Sequence, residues 1–201
     1  MFDFVPIKNW RNFYDWGITD EEKKIRFPCD EQPNLPEKIY YRGMTINAEP
    51  KHIYSWLCQM RVAPYSYDWL DNFGRRSPRK LSPGITDLKL GQVFMTGFEL
   101  VAFEHNRHVT IRSRELPAWL FVFGDIVLTY QLVPLTKAQS RLLVKMRVGY
   151  PKGPVMKQLI RFILPPGDTF MMHKQLRTFR ELAERSQQRG DQLSHDATLD
   201  K

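Results

Sequence analysis

Two neighbouring segments with a two-residue period constrain the fold of this chain more than any other feature. In residues 125–133 and 141–149 apolar and polar side chains alternate, which is the pattern of half-buried β-strands. A short polar segment separates them and predicts an antiparallel hairpin. A one-residue slip would turn the apolar set to solvent, so the register is well specified. The predicted apolar pairs are Ile126 with Val148, Leu128 with Met146, Tyr130 with Val144, and Leu132 with Leu142.

Further strands precede this hairpin. Residues 38–48 are rich in aromatic and β-branched side chains, and residues 88–97 also favour a strand. Residues 98–115 predict a second hairpin that turns at Asn106 and Arg107. Its predicted pairs are Leu100 with Ser113, Ala102 with Ile111, and Glu104 with Val109. Together the strands predict an antiparallel sheet with one dry face and one largely solvated face.

Helical spacing appears in two other parts of the chain. After Pro50, apolar residues at helical intervals predict one short helix, and residues 66–73 predict another. Residues 154–164 predict a short amphipathic helix that Pro165 and Pro166 break. A long helix is expected to follow, starting at Asp168 or Thr169. Its predicted buried stripe is Met172, Leu176, Phe179 and Ala183.

The N-terminal 37 residues differ from the rest in composition. They carry five basic and eight acidic residues, a charge of −3, while the whole chain carries +8, so the remainder carries +11. Three prolines in residues 28–36 predict an extended connector. The many aromatic residues predict that this arm packs onto the body. The predicted organisation is an extension over residues 1–37, a domain over residues 38–188, and a flexible polar tail over residues 189–201.

Few residues carry a recognisable chemistry. Nucleophile triads, a P-loop and a dinucleotide-binding glycine motif are all absent from the sequence, so catalysis has no motif to support it. Asp125, Tyr130 and Arg112 are the polar groups in predicted strands that an acid–base site would use. His105 and His108 flank a hairpin tip without further ligands, so no metal and no cofactor are predicted. Two cysteines in a chain of this size favour a reduced, cytoplasmic protein.

Four aromatic residues stand within nine positions, Tyr65, Tyr67, Trp69 and Phe73, and the basic loop of residues 74–80 follows them. Packing between a short helix and the sheet is one interpretation, and contact with a ligand is the other. The basic loop is interpreted as solvated, with an anionic ligand or a phospholipid headgroup as the alternative.

Four segments carry a resemblance to a known superfamily. They are residues 46–60 (INAEPKHIYSWLCQM), 65–78 (YSYDWLDNFGRRSP), 140–148 (SRLLVKMRV) and 170–185 (FMMHKQLRTFRELAER). In this order they resemble the START-like, birch-pollen-allergen-like (SRPBCC) superfamily, and more narrowly its polyketide cyclase/dehydrase-like proteins. The resemblance extends from about residue 21 to residue 185. It implies an α+β helix-grip fold: a curved antiparallel sheet with two short helices, wrapped around a long C-terminal helix.

The resemblance also implies a cavity between sheet and helix. Tyr65, Tyr67 and Trp69 would lie near its mouth or base. The walls would come from Leu100, Ala102, Ile111, Leu128, Tyr130, Val144 and Met146 on the sheet, and from Met172, Leu176 and Phe179 on the helix.

These expectations lead to three functional hypotheses. The first is binding of a hydrophobic or amphipathic small molecule, lipid-like or aromatic, in that cavity. The alternative is a cyclase/dehydrase-type enzyme without metal that acts on a polyketide-like or aromatic substrate there. The +11 body alone suggests a third, a protein-interaction or nucleic-acid module, but no specific nucleic acid is expected as partner. The apolar run at residues 116–123 is too short to span a membrane, although peripheral membrane contact is compatible with the sequence.

Overall fold

The computed structural model describes residues 13–33, 38–71, 74–114, 124–151 and 153–199. Seven strands are present in these ranges: β1 (Asp15–Trp16), β2 (Lys38–Ile46), β3 (Val93–Phe94), β4 (Phe98–Glu104), β5 (His108–Ser113), β6 (Asp125–Thr136) and β7 (Gln139–Gly149). The α-helices are α1 (Asp20–Lys23), α2 (Pro50–Cys58), α3 (Asp68–Asp71) and α4 (Pro154–Leu199), and 3-10 turns span Pro28–Glu31 and Gln59–Arg61.

The strands form one curved sheet in the order β1-β2-β7-β6-β5-β4-β3. All neighbours are antiparallel except β1, which adds two residues in parallel to β2. The β6–β7 pairing confirms the predicted register at all four apolar pairs. The inner face, defined by these pairs, is dry and packs against α4. Tyr40 and Arg42 of β2 join it, since they lie opposite Met146 and Val144.

The register predicted for the β4–β5 hairpin is wrong. Leu100 lies opposite Ile111, whereas Ala102 lies opposite Thr110, so Val101 is an extra residue in a β-bulge. Ala102 therefore lies on the outer face, and Phe103, opposite Val109, takes the inner position. The hairpin turns through residues 105–107, with Asn106 at a φ of 59°, a conformation that asparagine tolerates better than most residues.

The C-terminal helix is longer than predicted. α4 is continuous from Pro154 to Leu199 and contains both Pro165 and Pro166, so the predicted break there is wrong. The helix also runs through residues assigned to the predicted polar tail, as far as Leu199. Proline within a helix removes hydrogen bonds to the preceding turn and is tolerated only when tertiary contacts compensate. Such contacts occur directly after the prolines, at Asp168 and Thr169.

Two short helices lie between β2 and β3 in the chain. Pro50 occupies the first turn of α2 as predicted, and Ile53, Trp56 and Leu57 are buried. The Trp56 indole donates to Ser186 Oγ on α4 at 3.1 Å, which fixes α2 against the long helix. An antiparallel sheet, two short helices and a long C-terminal helix confirm the predicted α+β helix-grip fold.

Residues 13–33 lie against the sheet. Phe27 and Cys29 are buried with Val127 and Leu143 on the outer face, so the expectation of a largely solvated face is wrong here. The Cys29 backbone N–H donates to Thr129 Oγ1 at 3.0 Å. The division of the chain at residue 37 stays a prediction.

Candidate functional site between the sheet and the C-terminal helix

The inner face of the sheet and one side of α4 form a single apolar core. It contains ten of the thirteen residues predicted to line a cavity, all of them buried: Tyr65, Leu100, Ile111, Leu128, Tyr130, Val144, Met146, Met172, Leu176 and Phe179. The sheet register and the helical spacing together determine this arrangement, because each places one apolar side toward the other.

One half of this interior is sealed by direct contacts. Tyr130 Oη donates to Gln175 Oε1 at 2.6 Å and lies 3.8 Å from Met172 Sδ. The Gln175 amide donates in turn to Pro64 O at 2.6 Å. Burial raises the pKa of Tyr130, so its hydroxyl stays protonated and acts as the donor. Phe179 packs edge-on against Tyr130, with ring centroids 6.4 Å apart, so that the two rings join sheet and helix at this level.

The other half of the interior still meets solvent. Six inner-face and helix side chains retain 4 to 8% of their accessible surface: Ile126, Leu128, Met146, Tyr150, Ile160 and Met172. In the sealed half Tyr130, Val144, Leu176 and Phe179 are at most 1% exposed. Although Leu132 in the sealed half retains 4%, the largest of these exposures, 5 to 8% at Met146, Tyr150, Ile160 and Met172, lie near the start of β6, the end of β7 and the part of α4 before Gln175. We call this region the open half.

A buried polar cluster lies beside the open half. The Arg42 guanidinium donates to the Asp168 carboxylate, and both side chains are almost fully removed from solvent. The Tyr40 and Tyr150 hydroxyls are 3.2 Å apart. Burial raises the pKa of Asp168, and the Arg42 charge partly opposes that shift. Burial likewise raises the pKa of Tyr40, so its hydroxyl is protonated.

The sequence interpretation missed this cluster. The sequence pattern predicts for Asp168 only the start of a helix, and it predicts no role for Arg42. A signal was available in the alternation of Tyr40, Arg42, Met44 and Ile46, which places a basic side chain on an otherwise apolar face. Within the described residues the Arg42 Nε atom has no hydrogen-bond partner, although the guanidinium also donates to the carbonyls of Phe13 and Tyr14.

The N-terminal segment closes one side of the interior. β1 extends the sheet beyond β2, and Trp16 packs on the His173 ring of α4 with centroids 4.9 Å apart. Thr169 Oγ1 donates to Phe13 O at 3.0 Å. Residues 13–16 therefore bridge the edge of the sheet and the helix next to the Arg42–Asp168 pair.

The aromatic stretch that follows α2 divides between interior and surface. Tyr65 is buried, donates to Pro78 O at 2.9 Å, and packs against Trp56 and Phe179. Tyr67 stacks on Phe170 of α4, with ring centroids 4.3 Å apart and planes 2° from parallel. Trp69 is 71% exposed and lines no interior cavity. Phe73 lies outside the described residues.

Three other candidate residues point away from the interior. The bulge at Val101 places Ala102 on the outer face, so it cannot form the predicted wall. Asp125 and Arg112 also lie on the outer face, where the guanidinium binds both carboxylate oxygens, at 3.1 and 2.8 Å. Neither group is positioned for acid–base chemistry between sheet and helix.

A separate surface groove of about 750 Å³ lies at the tip of the β4–β5 hairpin. It is bounded by charged side chains that already form ion pairs with each other, such as Arg107 with Glu104 and Lys51 with Glu49. Because it lies outside the sheet–helix interior, it is not the predicted cavity.

In the described ranges no three His, Cys, Asp or Glu side chains are grouped to hold a metal ion. No described helix combines the length and apolarity that crossing a membrane requires.

Comparison with known proteins yields structural matches alone. Neither a protein family nor a curated protein matches this sequence. A structural-genomics protein from Chromobacterium violaceum matches with 12% identity over 73% of this chain and 96% of its own, at a TM-score of 0.46. A solution structure of a protein from Thermobifida fusca matches with 12% identity over 73% of this chain and 93% of its own, at a TM-score of 0.48. Norcoclaurine synthase from Thalictrum flavum matches with 12% identity over 72% of this chain and 85% of its own, at a TM-score of 0.45. At these values the similarity does not extend to family, ligand or activity.

Proposed function

We propose that this protein binds a hydrophobic or amphipathic small molecule, lipid-like or aromatic, in the open half of the sheet–helix interior. The observation that carries the proposal is the contrast between the two halves. One half is sealed by Tyr130, Gln175 and Phe179, whereas solvent still reaches Met146 and Met172 in the other. Apolar side chains that meet solvent inside a core are typical of a ligand site.

The polar cluster beside the open half supports an amphipathic ligand. A molecule whose apolar part contacts Leu128, Met146 and Met172 would have its polar end close to Tyr150 and the Arg42–Asp168 pair. Hydrogen-bonding groups at one end of an apolar site orient a ligand and give it specificity. The two buried cysteines are free, which agrees with the reduced, cytoplasmic location that belongs to this proposal.

Native mass spectrometry of the purified protein, followed by solvent extraction, tests the proposal. A bound molecule should appear as a mass above that of the chain and should be recovered in the extract. Protein stripped in this way should then bind the amphipathic fluorophore anilinonaphthalene sulfonate at one saturable site. A chain that carries no extra mass and binds no fluorophore would exclude the proposal.

The same cluster favours a second function, a cyclase/dehydrase-type enzyme acting on an aromatic or polyketide-like substrate. Asp168, Tyr40 and Tyr150 provide carboxyl and hydroxyl groups at the edge of an apolar region, which proton transfer requires. The two functions differ in what happens to the bound molecule. Incubation of the extracted compound with the wild type and with Tyr150→Phe separates them, since only an enzyme changes the compound, and only with the hydroxyl in place.

A further inference from the structure

The first turns of α4 are apolar on two sides. One side faces the interior through Ile160, with Met156 and Leu164 packed against the core. The other side carries five large apolar residues that are between 49 and 81% exposed. We call them the outer stripe: Val155, Leu159, Phe162, Ile163 and Phe170. At about 100° per residue their positions fall within an arc of about 100°.

The outer stripe continues onto a neighbouring segment. Tyr67 stacks on Phe170, and two residues later Trp69 is exposed. Isolated apolar residues on a surface need no explanation, but a contiguous patch marks an interaction site. An apolar arc that extends well beyond the side facing the core indicates a second apolar environment besides the protein core.

The charges around the outer stripe are positive. Residues 154–167 contain no acidic residue, and Lys157 and Arg161 lie on the far flank of the helix from the stripe. Arg177 falls within the arc of the stripe, beside Tyr67. Arg75 and Arg76 are exposed and follow Trp69 closely in the chain. The Asp68 carboxylate accepts the Ser77 backbone N–H at 2.9 Å, which holds the two arginines near Trp69. Such a combination of apolar and basic side chains complements an anionic surface with an apolar interior.

We propose that the outer stripe and Trp69 dock onto the surface of an anionic lipid bilayer. The first turns of α4 lie in the headgroup region, with the stripe toward the acyl chains and with Arg75, Arg76 and Arg177 at the phosphates. Tryptophan favours this interface because its ring is amphipathic. A second copy of the chain fits less well, since two molecules of charge +8 repel each other. This docking does not depend on a ligand in the open half.

Sedimentation with vesicles tests the docking. Vesicles of phosphatidylcholine alone are compared with vesicles that contain about 30 mol% phosphatidylserine, at low and at physiological salt. The wild type should bind the anionic vesicles and should bind less at higher salt. The stripe variant is Val155→Glu/Leu159→Glu. The matched control is Leu90→Glu/Leu135→Glu, which adds the same charge at exposed apolar residues elsewhere.

The stripe variant should lose at least about 10-fold in binding to the anionic vesicles, while the control should change less than about 2-fold. Far-ultraviolet circular dichroism and fluorophore binding without vesicles should match the wild type in both variants. Equal loss in both variants would overturn the proposal, because charge alone would then explain the binding. Absence of binding to anionic vesicles would overturn it as well. So would a wild-type dimer that the stripe substitutions dissociate and the control substitutions do not.

Discussion

The Arg42 guanidinium donates to the Asp168 carboxylate across the contact between β2 and α4, within an otherwise apolar core. The pair joins the sheet to the helix just after two prolines that interrupt the helical hydrogen bonds. A buried ion pair contributes little net stability, because removing both charges from water offsets their attraction. It does penalise alternative arrangements, since a shift of the helix would leave each charge buried alone. We interpret the pair as fixing the position of α4 on the sheet.

Asp168→Asn should therefore destabilise the protein strongly. The substitution keeps the shape of the side chain but leaves the Arg42 charge buried without compensation, which costs about 3–5 kcal/mol. Urea unfolding followed by circular dichroism measures the change in the free energy of unfolding. The double variant Arg42→Met/Asp168→Leu removes both charges and should be less destabilised than the sum of its single variants. Additive effects would show that the two residues do not act as a pair.

His173 should make stability depend on pH below neutrality. Burial lowers the pKa of His173, and Arg177 and Arg180 lower it further. The unfolded chain then binds more protons than the folded one as the pH drops below about 6.5, so stability falls in that range. Urea midpoints at pH 7.5 and 5.5 measure this fall. His173→Gln should lose less stability between the two pH values than the wild type, although His52 and His108, also with lowered pKa, still contribute.

The inward-facing residues of β6 and β7 and the register of this hairpin could be predicted from the sequence. Alternation of apolar and polar residues allows a single pairing there that buries the apolar set. The bulge at Val101 could not be predicted in the same way. Leu100, Ala102 and Phe103 are all apolar, so shifting the hairpin by one residue costs little in the sequence pattern. The neighbouring β6 strand fixes the inner face of β5, by pairing Ile111 with Leu128 and Val109 with Tyr130, but leaves the register of β4 open.

The continuity of α4 was unpredictable for a different reason. Two successive prolines argue locally for a helix break, and Asp168 after them resembles a helix N-cap. The contacts that hold the helix together come from residues far away in sequence: Arg42, and the carbonyl of Phe13 that accepts from Thr169. Ser66, which the sequence favours as a helix N-cap, donates its hydroxyl to Met171 O of α4. Tertiary contacts therefore override local preference in the part of the helix that borders the candidate site.

The attachment of residues 28–32 to the outer face should protect Cys29 from thiol reagents. Arg147 donates to the carbonyls of Cys29 and Gln32. Arg147→Met leaves the Gln32 carbonyl without this donor and the Cys29 carbonyl with only the Gln32 N–H. The loss costs about 1.5–3 kcal/mol, so the segment should open about 10- to 100-fold more often. Modification of Cys29 by dithionitrobenzoate should accelerate accordingly.

Cys58 is the internal control for that experiment. It is buried in α2, and burial raises its pKa to about 12, so the reactive thiolate is scarce at neutral pH. Peptide mapping after labelling distinguishes the two thiols. Equal acceleration at both cysteines would mean that Arg147→Met unfolds the whole domain, in contradiction to local opening.

A matched pair of substitutions on β7 should separate the two halves of the interior. Met146 and Leu142 both lie on the inner face, but Met146 faces the open half and Leu142 is fully buried in the sealed half. Leu142→Phe overfills a packed site, which costs about 1–3 kcal/mol, and should leave fluorophore affinity unchanged. On the proposed function Met146→Phe turns its ring into the space for the ligand in the open half, so it should cost less stability and lower the affinity about 10-fold. Titration of stripped protein, with urea midpoints of the same samples, measures both quantities. If Met146→Phe destabilises as much as Leu142→Phe and leaves the affinity unchanged, the interior is packed throughout and has no space for a ligand beneath α4.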